Sequence, residues 1–137
     1  ERHMKEMKYS SSYKEELLDS GEYKGFKYYI ISLGWHPCAY VEIPIENEAY
    51  GCTYQCYPVN SIQCHGGIRY SKSMLSFPEV HGQGWFIGWD YAHHGDFSGI
   101  ISFAKGKQWT VAEIIKDVHC VIEQLKGEMK HGGNSNR

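Results

Sequence analysis

The clearest pattern of hydrophobic and polar positions lies near the end of the chain. Apolar residues recur there every three or four positions, namely at Val111, Ile114, Ile115, Val118, Val121, Ile122 and Leu125. Thr110 and Glu113 stand at the spacing of a capping box, in which each side chain satisfies a free backbone amide at a helix start. Gly127 suits the helix end. The pattern predicts a C-terminal helix whose apolar stripe packs on a sheet.

Earlier in the chain, short apolar and aromatic runs between Gly and Pro residues are typical of strands. The runs 26–33 and 38–43 predict an antiparallel pair. Further strands are expected over 59–64, 68–70, 85–91 and 100–103. Two other segments are assigned differently: serines 10–12 are expected to cap a short helix over 13–19 that ends at Gly21, and 71–84 to form a long exposed loop.

These elements together indicate an α+β fold, with a mostly antiparallel β-sheet covered on one face by the C-terminal helix. A chain of 137 residues fits one domain, which we place at 25–127. Residues 1–24 are interpreted as two parts. The residues before Met4, the natural start, are a cloning remnant, and the rest is a polar segment with the short helix. Residues 128–137 are expected to be a disordered tail.

Composition and charge narrow the function classes. A formal net charge of −2 and the lack of any long run of Lys and Arg argue against a groove for duplex nucleic acid. No apolar stretch approaches the ~20 residues that a transmembrane helix requires. Five cysteines without a signal-peptide pattern favour free thiols in a reducing cytoplasm. The aromatic content of 15% is high, which favours either a heavy core or surfaces for stacking.

Two strand ends carry the residues best suited to chemistry. The run 85–91 leads into two histidines, a glycine and an acid at 93–96, and the run 59–64 leads into His65 and two glycines. Because successive side chains of a strand point to opposite faces, one face should carry Trp85, Ile87, Trp89 and Tyr91, and the other Phe86, Gly88 and Asp90. By default the aromatics Trp85, Phe86 and Trp89 should hold the sheet against the helix.

One hypothesis for these strand ends is metal-free cleavage of a phosphodiester. His65 and His93 could flank one phosphate, with one imidazole taking a proton and the other returning it, while Asp96 or Asp90 orients a ring. The alternative is that the histidines only end strands and bond to backbone. The alternative of a metal site uses the same atoms, with His65, one of His93 and His94, and an acid at a single ion. No cysteine or histidine spacing matches a zinc signature, so the sequence predicts no metal, and it predicts no cofactor.

The second hypothesis for the same residues is binding without reaction. Glycine turns let backbone amides approach a phosphate, Arg69 could grip one with two hydrogen bonds, and Tyr91, Trp35 or Tyr70 could stack a base for ~1–3 kcal/mol. Turn structure, a surface arginine and core packing explain the same residues without a ligand. The candidate ligand-binding residues are His65, Gly66, Gly67, Arg69, Asp90, Tyr91, His93, Asp96, Trp35 and His36.

Three phrases of the sequence resemble a family of small uncharacterised proteins of phages and prophages. They are an Ala-Tyr-Val strand at 39–41, a His-Gly-Gly turn at 65–67, and a Gly-Trp-Asp-x-Ala-His-x-Gly-Asp strand end at 88–96. The resemblance spans roughly 25–125. It implies a phage origin and favours His65, Asp90, His93 and Asp96 as the site, and it names no reaction.

The phage resemblance and the candidate ligand-binding residues together predict a counter-defence protein in the host bacterial cytoplasm. We expect it to bind and sequester a nucleotide-derived immune second messenger, either of the ADP-ribose type or a cyclic nucleotide. One alternative is cleavage of that messenger by His65 and His93. Another is an inhibitor of a host defence enzyme, which predicts an exposed apolar or acidic face around 42–48 and no small-molecule pocket. A homodimer is kept as an alternative to the monomer.

Overall fold

A computed structural model of the chain describes residues 15–34, 36–73, 75, 84–92 and 107–128. Its elements in chain order are β1 (Glu16–Tyr23), β2 (Phe26–Ser32), β3 (Pro37–Ile43), a 3-10 turn (Val59–Ser61), β4 (Tyr70–Lys72), β5 (Trp85–Asp90) and α1 (Val111–Leu125). The expected pair of strands around Gly34 and Pro37 is confirmed as β2 and β3.

The strands form one antiparallel sheet in the order β1-β2-β3-β5-β4. The helix α1 crosses one face and contacts β1, β2 and β3. The predicted α+β fold with a helix-covered antiparallel sheet is therefore confirmed. Its edges are β1 and β4, and β3 lies at the centre.

The sequence signals at both ends of α1 are also confirmed. Glu113 N donates to Thr110 Oγ1 over 3.2 Å, and Thr110 N donates to Glu113 Oε1 over 3.1 Å, which completes the capping box. Gly127 follows the last turn with a φ of +79°. The buried positions of α1 are Ile114, Val118, Val121, Ile122, Gln124 and Leu125, so the apolar stripe faces the sheet.

Each face of the sheet carries its own core. The helix-facing core includes Ile87, Trp89 and Tyr91, with Trp85 packed against it, so the predicted face of the aromatic strand is confirmed. The core on the second face contains Ile31, Leu75 and Phe86. The expectation that Phe86 packs against the helix is wrong, because strand alternation turns its ring away from α1.

The N-terminal assignment needs correction. The short helix expected over 13–19 is wrong over its described part, since β1 begins at Glu16 and continues through Gly21 to Tyr23. A two-residue turn, Lys24 and Gly25, joins β1 to β2 with φ values of +51° and +88°. A turn with positive φ at both residues matches the right-handed twist of two paired strands. It therefore allows the polar strand β1 to pair with β2. The sheet therefore starts before residue 25, where the predicted domain began.

Two middle segments also differ from expectation. The strand predicted over 59–64 is wrong, because Val59–Ser61 form a 3-10 turn. Val59 and Ile62 are both buried and stand three positions apart, which matches the repeat of a 3-10 turn rather than that of a strand. The strand expected at 68–70 is displaced to β4.

The loop predicted over 71–84 is only partly described. Ser71 and Lys72 belong to β4, and Leu75 is 9% exposed, so this part is not a uniformly exposed loop. The strand predicted at 100–103 and the tail beyond residue 128 lie outside the described residues. All five cysteines lie within them, and each is a free thiol. In the described part of the chain, no helix has the length and apolar character needed to span a bilayer.

Candidate functional site

Four segments meet at one end of the sheet and form the candidate site. They are the turn 64–67, the end of β5 with Tyr91, the segment 107–109 before α1, and the middle of α1. The turn is closed by Gly67 N, which donates to the carbonyl oxygen of Cys64 over 3.1 Å. Gly66 has a φ of +74°, which places it at the turn position that favours glycine.

Three rings form the centre of this site, which we name the aromatic cluster: His65, Tyr91 and Trp109. The imidazole of His65 lies parallel to the phenol of Tyr91, with 4.9 Å between centroids and 3° between planes. The indole of Trp109 is tilted against both rings, at 4.7 Å from His65 and 5.0 Å from Tyr91. Such offset and tilted contacts are the favourable arrangements for aromatic pairs.

Hydrogen bonds fix the buried side of the aromatic cluster. Trp89 Nε1 donates to the hydroxyl of Tyr91 over 2.9 Å, and that hydroxyl donates to Asp117 Oδ2 over 2.7 Å. The backbone N–H of His65 donates to the same Asp117 oxygen over 3.3 Å. One carboxylate on α1 therefore holds both the strand end and the glycine turn.

Burial determines the chemistry of this network. Tyr91 is 0% exposed, and burial raises the pKa of its phenol, with the Asp117 carboxylate raising it further. Burial likewise raises the pKa of the Cys64 thiol, again with a contribution from Asp117. Tyr91 therefore acts as a neutral hydrogen-bond donor and Cys64 as a neutral thiol, which makes Cys64 a poor nucleophile.

A second polar contact holds the chain just before the turn. The buried side chain of Gln124 accepts from Gln63 N through Oε1 and donates to the carbonyl oxygen of Gln63 through Nε2, each over 2.8 Å. These two hydrogen bonds satisfy the backbone N–H and carbonyl groups of Gln63, as a neighbouring strand would, and they hold the loop against α1. The chain that carries His65 is thus attached to the helix at two points seven positions apart, Gln124 and Asp117.

An ammonium group paired with a carboxylate lies on the outer side of the aromatic cluster. The ammonium group of Lys107 lies 4.1 Å from the centroid of Trp109 and 3.2 Å from Glu113 Oε2. Lys107 and Gly66 are exposed, and His65 and Trp109 are partly exposed. Arg69 is exposed too. It directly precedes the edge strand β4, and its backbone N–H donates to the carbonyl oxygen of Gly88 in β5.

The structure divides the predicted site residues between the two faces of the sheet. His65, Gly66 and Gly67 lie beside Tyr91 on the helix-facing side. Asp90 lies on the opposite face, paired in register with Cys38, and its charge adds to the burial that raises the pKa of Cys38 to about 12. His36 belongs to this second group, because its Nδ1 lies 4.0 Å from Cys38 Sγ. Asp90 and Tyr91 are neighbours in sequence that face different surroundings.

Three predicted site residues lie outside the described part of the chain: Trp35, His93 and Asp96. The pairing of His65 with His93 therefore stays a prediction. Tyr91 does not fit the expected role of stacking a base, because it is enclosed by His65, Trp109 and the core. Tyr70 is partly buried and packs edge-on against Tyr40 at 5.0 Å between centroids. Within the described ranges, no three His, Cys, Asp or Glu side chains are grouped to hold a metal ion.

Sequence reasoning missed Lys107, Trp109 and Asp117. Trp109 directly precedes the N-cap Thr110, a position where an apolar residue often packs back onto the first turns of a helix. That position was a usable signal for a structural role. For Lys107 and Asp117 the sequence offered none, since their contacts depend on how α1 crosses the sheet.

The segment 45–48 shows both exposure and concavity. Ile45 is 73% exposed and Glu46 and Glu48 are exposed, as expected for the inhibitor alternative. Residues 46–48 also line a groove of about 440 Å³, whereas that alternative predicts no small-molecule pocket.

Comparisons of the chain with protein-family models, characterised proteins and solved structures found no match. The phage-family resemblance therefore stays a prediction, and the functional argument depends on the site itself.

Proposed function

We propose that the protein binds a nucleotide-derived second messenger at the outer side of the aromatic cluster. The observation that carries the proposal is the arrangement of Lys107, Trp109 and His65. A partly exposed indole has an ammonium group 4.1 Å from its centroid and an imidazole in contact with it. Aromatic rings stack nucleobases, and a nearby cation neutralises phosphate, so this surface offers both kinds of recognition.

Binding at this surface proceeds through exchange of the partner of Lys107. In the free protein, the ammonium group covers Trp109 and pairs with Glu113. A base that stacks on the indole displaces the ammonium group, which then pairs with a ligand phosphate. The exposed turn at Gly66 supplies a further backbone donor for phosphate oxygens, and Arg69, two positions after the turn, stays a predicted phosphate contact. The buried members Tyr91 and Asp117 keep the turn and Trp109 in position and do not touch the ligand.

Capture rather than cleavage is the activity that we propose. Among the described residues of the aromatic cluster, His65 carries the one imidazole, and proton transfer in both directions would require a partner such as His93. The wider role, counter-defence by a phage protein in the reducing cytoplasm of its host, depends on the motif resemblance. Free thiols at all five cysteines agree with such a compartment.

The test is titration of the protein with ADP-ribose, a 3′,5′-cyclic mononucleotide and a cyclic dinucleotide, followed by calorimetry. We expect one of these classes to bind, Trp109→Ala to weaken binding by about tenfold, and Trp109→Phe to restore most of it. Tyr50→Ala removes an aromatic ring that is 39% exposed and lies outside the aromatic cluster, so it is the matched control.

The bound ligand distinguishes capture from cleavage. The complex is heat-denatured and the released small molecule is analysed by chromatography. Intact nucleotide supports capture, whereas new products identify a phosphodiesterase. Failure of all three ligand classes to bind, or equal binding by wild type and Trp109→Ala, would overturn the proposal.

A further inference from the structure

A groove at the opposite end of α1 is separate from the aromatic cluster. It has a volume of about 440 Å³ and lies between the hairpin turn at Lys24 and Gly25, the loop that follows β3, and the last turn of the helix. Lys126 lies nine positions after Asp117, which corresponds to about 13 Å along a helix. The volume falls within the range of small-molecule sites, about 300–1,000 Å³.

The rim of this groove carries charges of both signs. Lys24, Lys126, Glu46 and Glu48 line it, above the edges of the buried side chains Phe26 and Leu125. Lys24 is already engaged, because its ammonium group donates to Glu128 and lies 3.9 Å from Glu123 Oε2. Among the described residues, no ion pair within 4.0 Å is found for the other three rim charges, although the pKa of Glu128 is lowered by its hydrogen bond with Lys24 and also by the Lys126 ammonium group. The groove thus offers two carboxylates and one ammonium group to a ligand.

The C-terminal end of α1 adds partial negative charge to this groove. The last carbonyls of a helix carry a partial negative charge, and Leu125, the last residue of α1, lines the groove. Asn47 Nδ2 donates to the carbonyl oxygen of Leu125 over 3.1 Å, so the loop that carries both glutamates is fixed against the helix end. The fold therefore fixes the positions of Glu46 and Glu48 relative to Lys126 at the helix end.

We propose that this groove binds a free basic amino acid. Such a molecule carries two cationic groups and one carboxylate, which complements the two carboxylates and one ammonium group of the rim. The cationic groups face Glu46, Glu48 and the helix end, and the ligand carboxylate faces Lys126. The methylene chain of the ligand lies along Phe26 and Leu125. This inference goes beyond the proposed nucleotide site and does not depend on it.

The experiment is a two-dimensional NMR titration with L-lysine, with cadaverine, which lacks the carboxylate, and with L-norleucine, which lacks the second amine. We expect L-lysine to shift the amide signals of 46–48 and 125–127 and to bind more tightly than either analogue. Glu46→Gln, Glu48→Gln and Lys126→Ala should each weaken L-lysine binding on the order of fivefold, the effect of one exposed ion pair. All three positions are exposed, so the variants should keep the fold.

Controls separate this site from the nucleotide site. Glu22→Gln, an exposed change on β1 outside the groove, should leave L-lysine binding unchanged, and so should Trp109→Ala. Cadaverine binding as tightly as L-lysine, together with no effect of Lys126→Ala, would show that the ligand carboxylate is not recognised and would overturn the proposal. Absence of shifts at millimolar L-lysine would overturn it as well.

Discussion

Tyr91 and Asp117 are 26 positions apart in sequence, and a hydrogen bond of 2.7 Å joins them. This bond connects the end of β5 to the middle of α1, at the place where the His-Gly-Gly turn also meets the helix. Because the same Tyr91 hydroxyl accepts from the buried indole of Trp89, it belongs to the core as well as to the candidate site.

Replacing Tyr91 by Phe should therefore destabilise the protein. The change removes the donor to Asp117 and the acceptor of Trp89 Nε1, and a buried group left without its partner costs about 1–3 kcal/mol. Urea unfolding measures the effect. The control is Tyr50→Phe, at a position that is 39% exposed, where the change should stay within about 0.5 kcal/mol. Equal midpoints for the two variants would contradict this assignment.

Gln124→Ala should loosen the loop before the glycine turn. The substitution leaves the N–H and carbonyl groups of Gln63 without the partners that they have at 2.8 Å, so we expect a loss of about 2 kcal/mol in unfolding free energy. Hydrogen exchange at the Gln63 amide should accelerate by more than exchange across β2 and β3. Gln55→Ala, at an exposed position, provides the comparison. Unchanged exchange at Gln63 would show that another contact holds the loop.

Gly88→Ala should disturb the second face of the sheet. A Cβ atom at this position would lie 2.4 Å from Tyr40 Cδ1 and 2.9 Å from the backbone oxygen of Ala39. Because the backbone of the paired strand cannot move away without a large energetic cost, we expect the free energy of unfolding to fall by about 1–3 kcal/mol, seen as a lower Tm. Gly84→Ala is the matched control, because its Cβ would meet only the flexible end of Glu42 at 3.1 Å. Similar Tm values for the two variants would be inconsistent with this packing.

The start of α1 should respond to acid. The backbone N–H of Thr110 holds the pKa of Glu113 below its usual value, and the Lys107 ammonium lowers it further. A carboxyl group whose pKa is lowered on folding stabilises the folded state above its unfolded pKa, and this contribution is lost as pH falls through the folded pKa. The Tm advantage of wild type over Glu113→Gln should thus be present at pH 7 and shrink below about pH 4.

Glu22→Gln controls for the loss of one exposed carboxylate in that series. A Tm difference between wild type and Glu113→Gln that stays constant from pH 7 to pH 3 would argue against an ionised capping box.

The five thiols should differ in reactivity. Cys38 is 4% exposed and burial raises its pKa to about 12, whereas Cys56 is exposed. Because the thiolate is the reactive form, iodoacetamide at pH 8 should label Cys56 first and Cys38 at the rate of unfolding. Peptide mass spectrometry measures both rates, and urea should remove the difference. Equal labelling of the two residues in the native protein would contradict the burial of Cys38.

Local signals explain why some elements could be predicted from sequence. The capping box and the apolar stripe define α1 within the helix itself, and Gly34 with Pro37 separates β2 from β3. The strand β1 escaped prediction because its residues are mostly polar, and its structure depends on pairing with β2 through Lys24 and Gly25.

The same distinction applies to the site. His65 and Tyr91 were found because each stands at the end of an apolar run. Asp117 and Lys107 are ordinary charged residues in sequence, and they gain their partners only when α1 crosses the sheet. Strand alternation, which correctly separated Asp90 from Tyr91, also implies that the single predicted cluster divides between two faces.

The strand order β1-β2-β3-β5-β4 has a consequence for synthesis on the ribosome. β1, β2 and β3 are consecutive neighbours, so they can pair as soon as they emerge. β4 emerges before β5, the strand to which it is hydrogen-bonded, and must wait for at least the residues up to Asp90. The His-Gly-Gly turn, which lies between β3 and β4, therefore stays unanchored until Asp117 and Gln124 of α1 have also emerged.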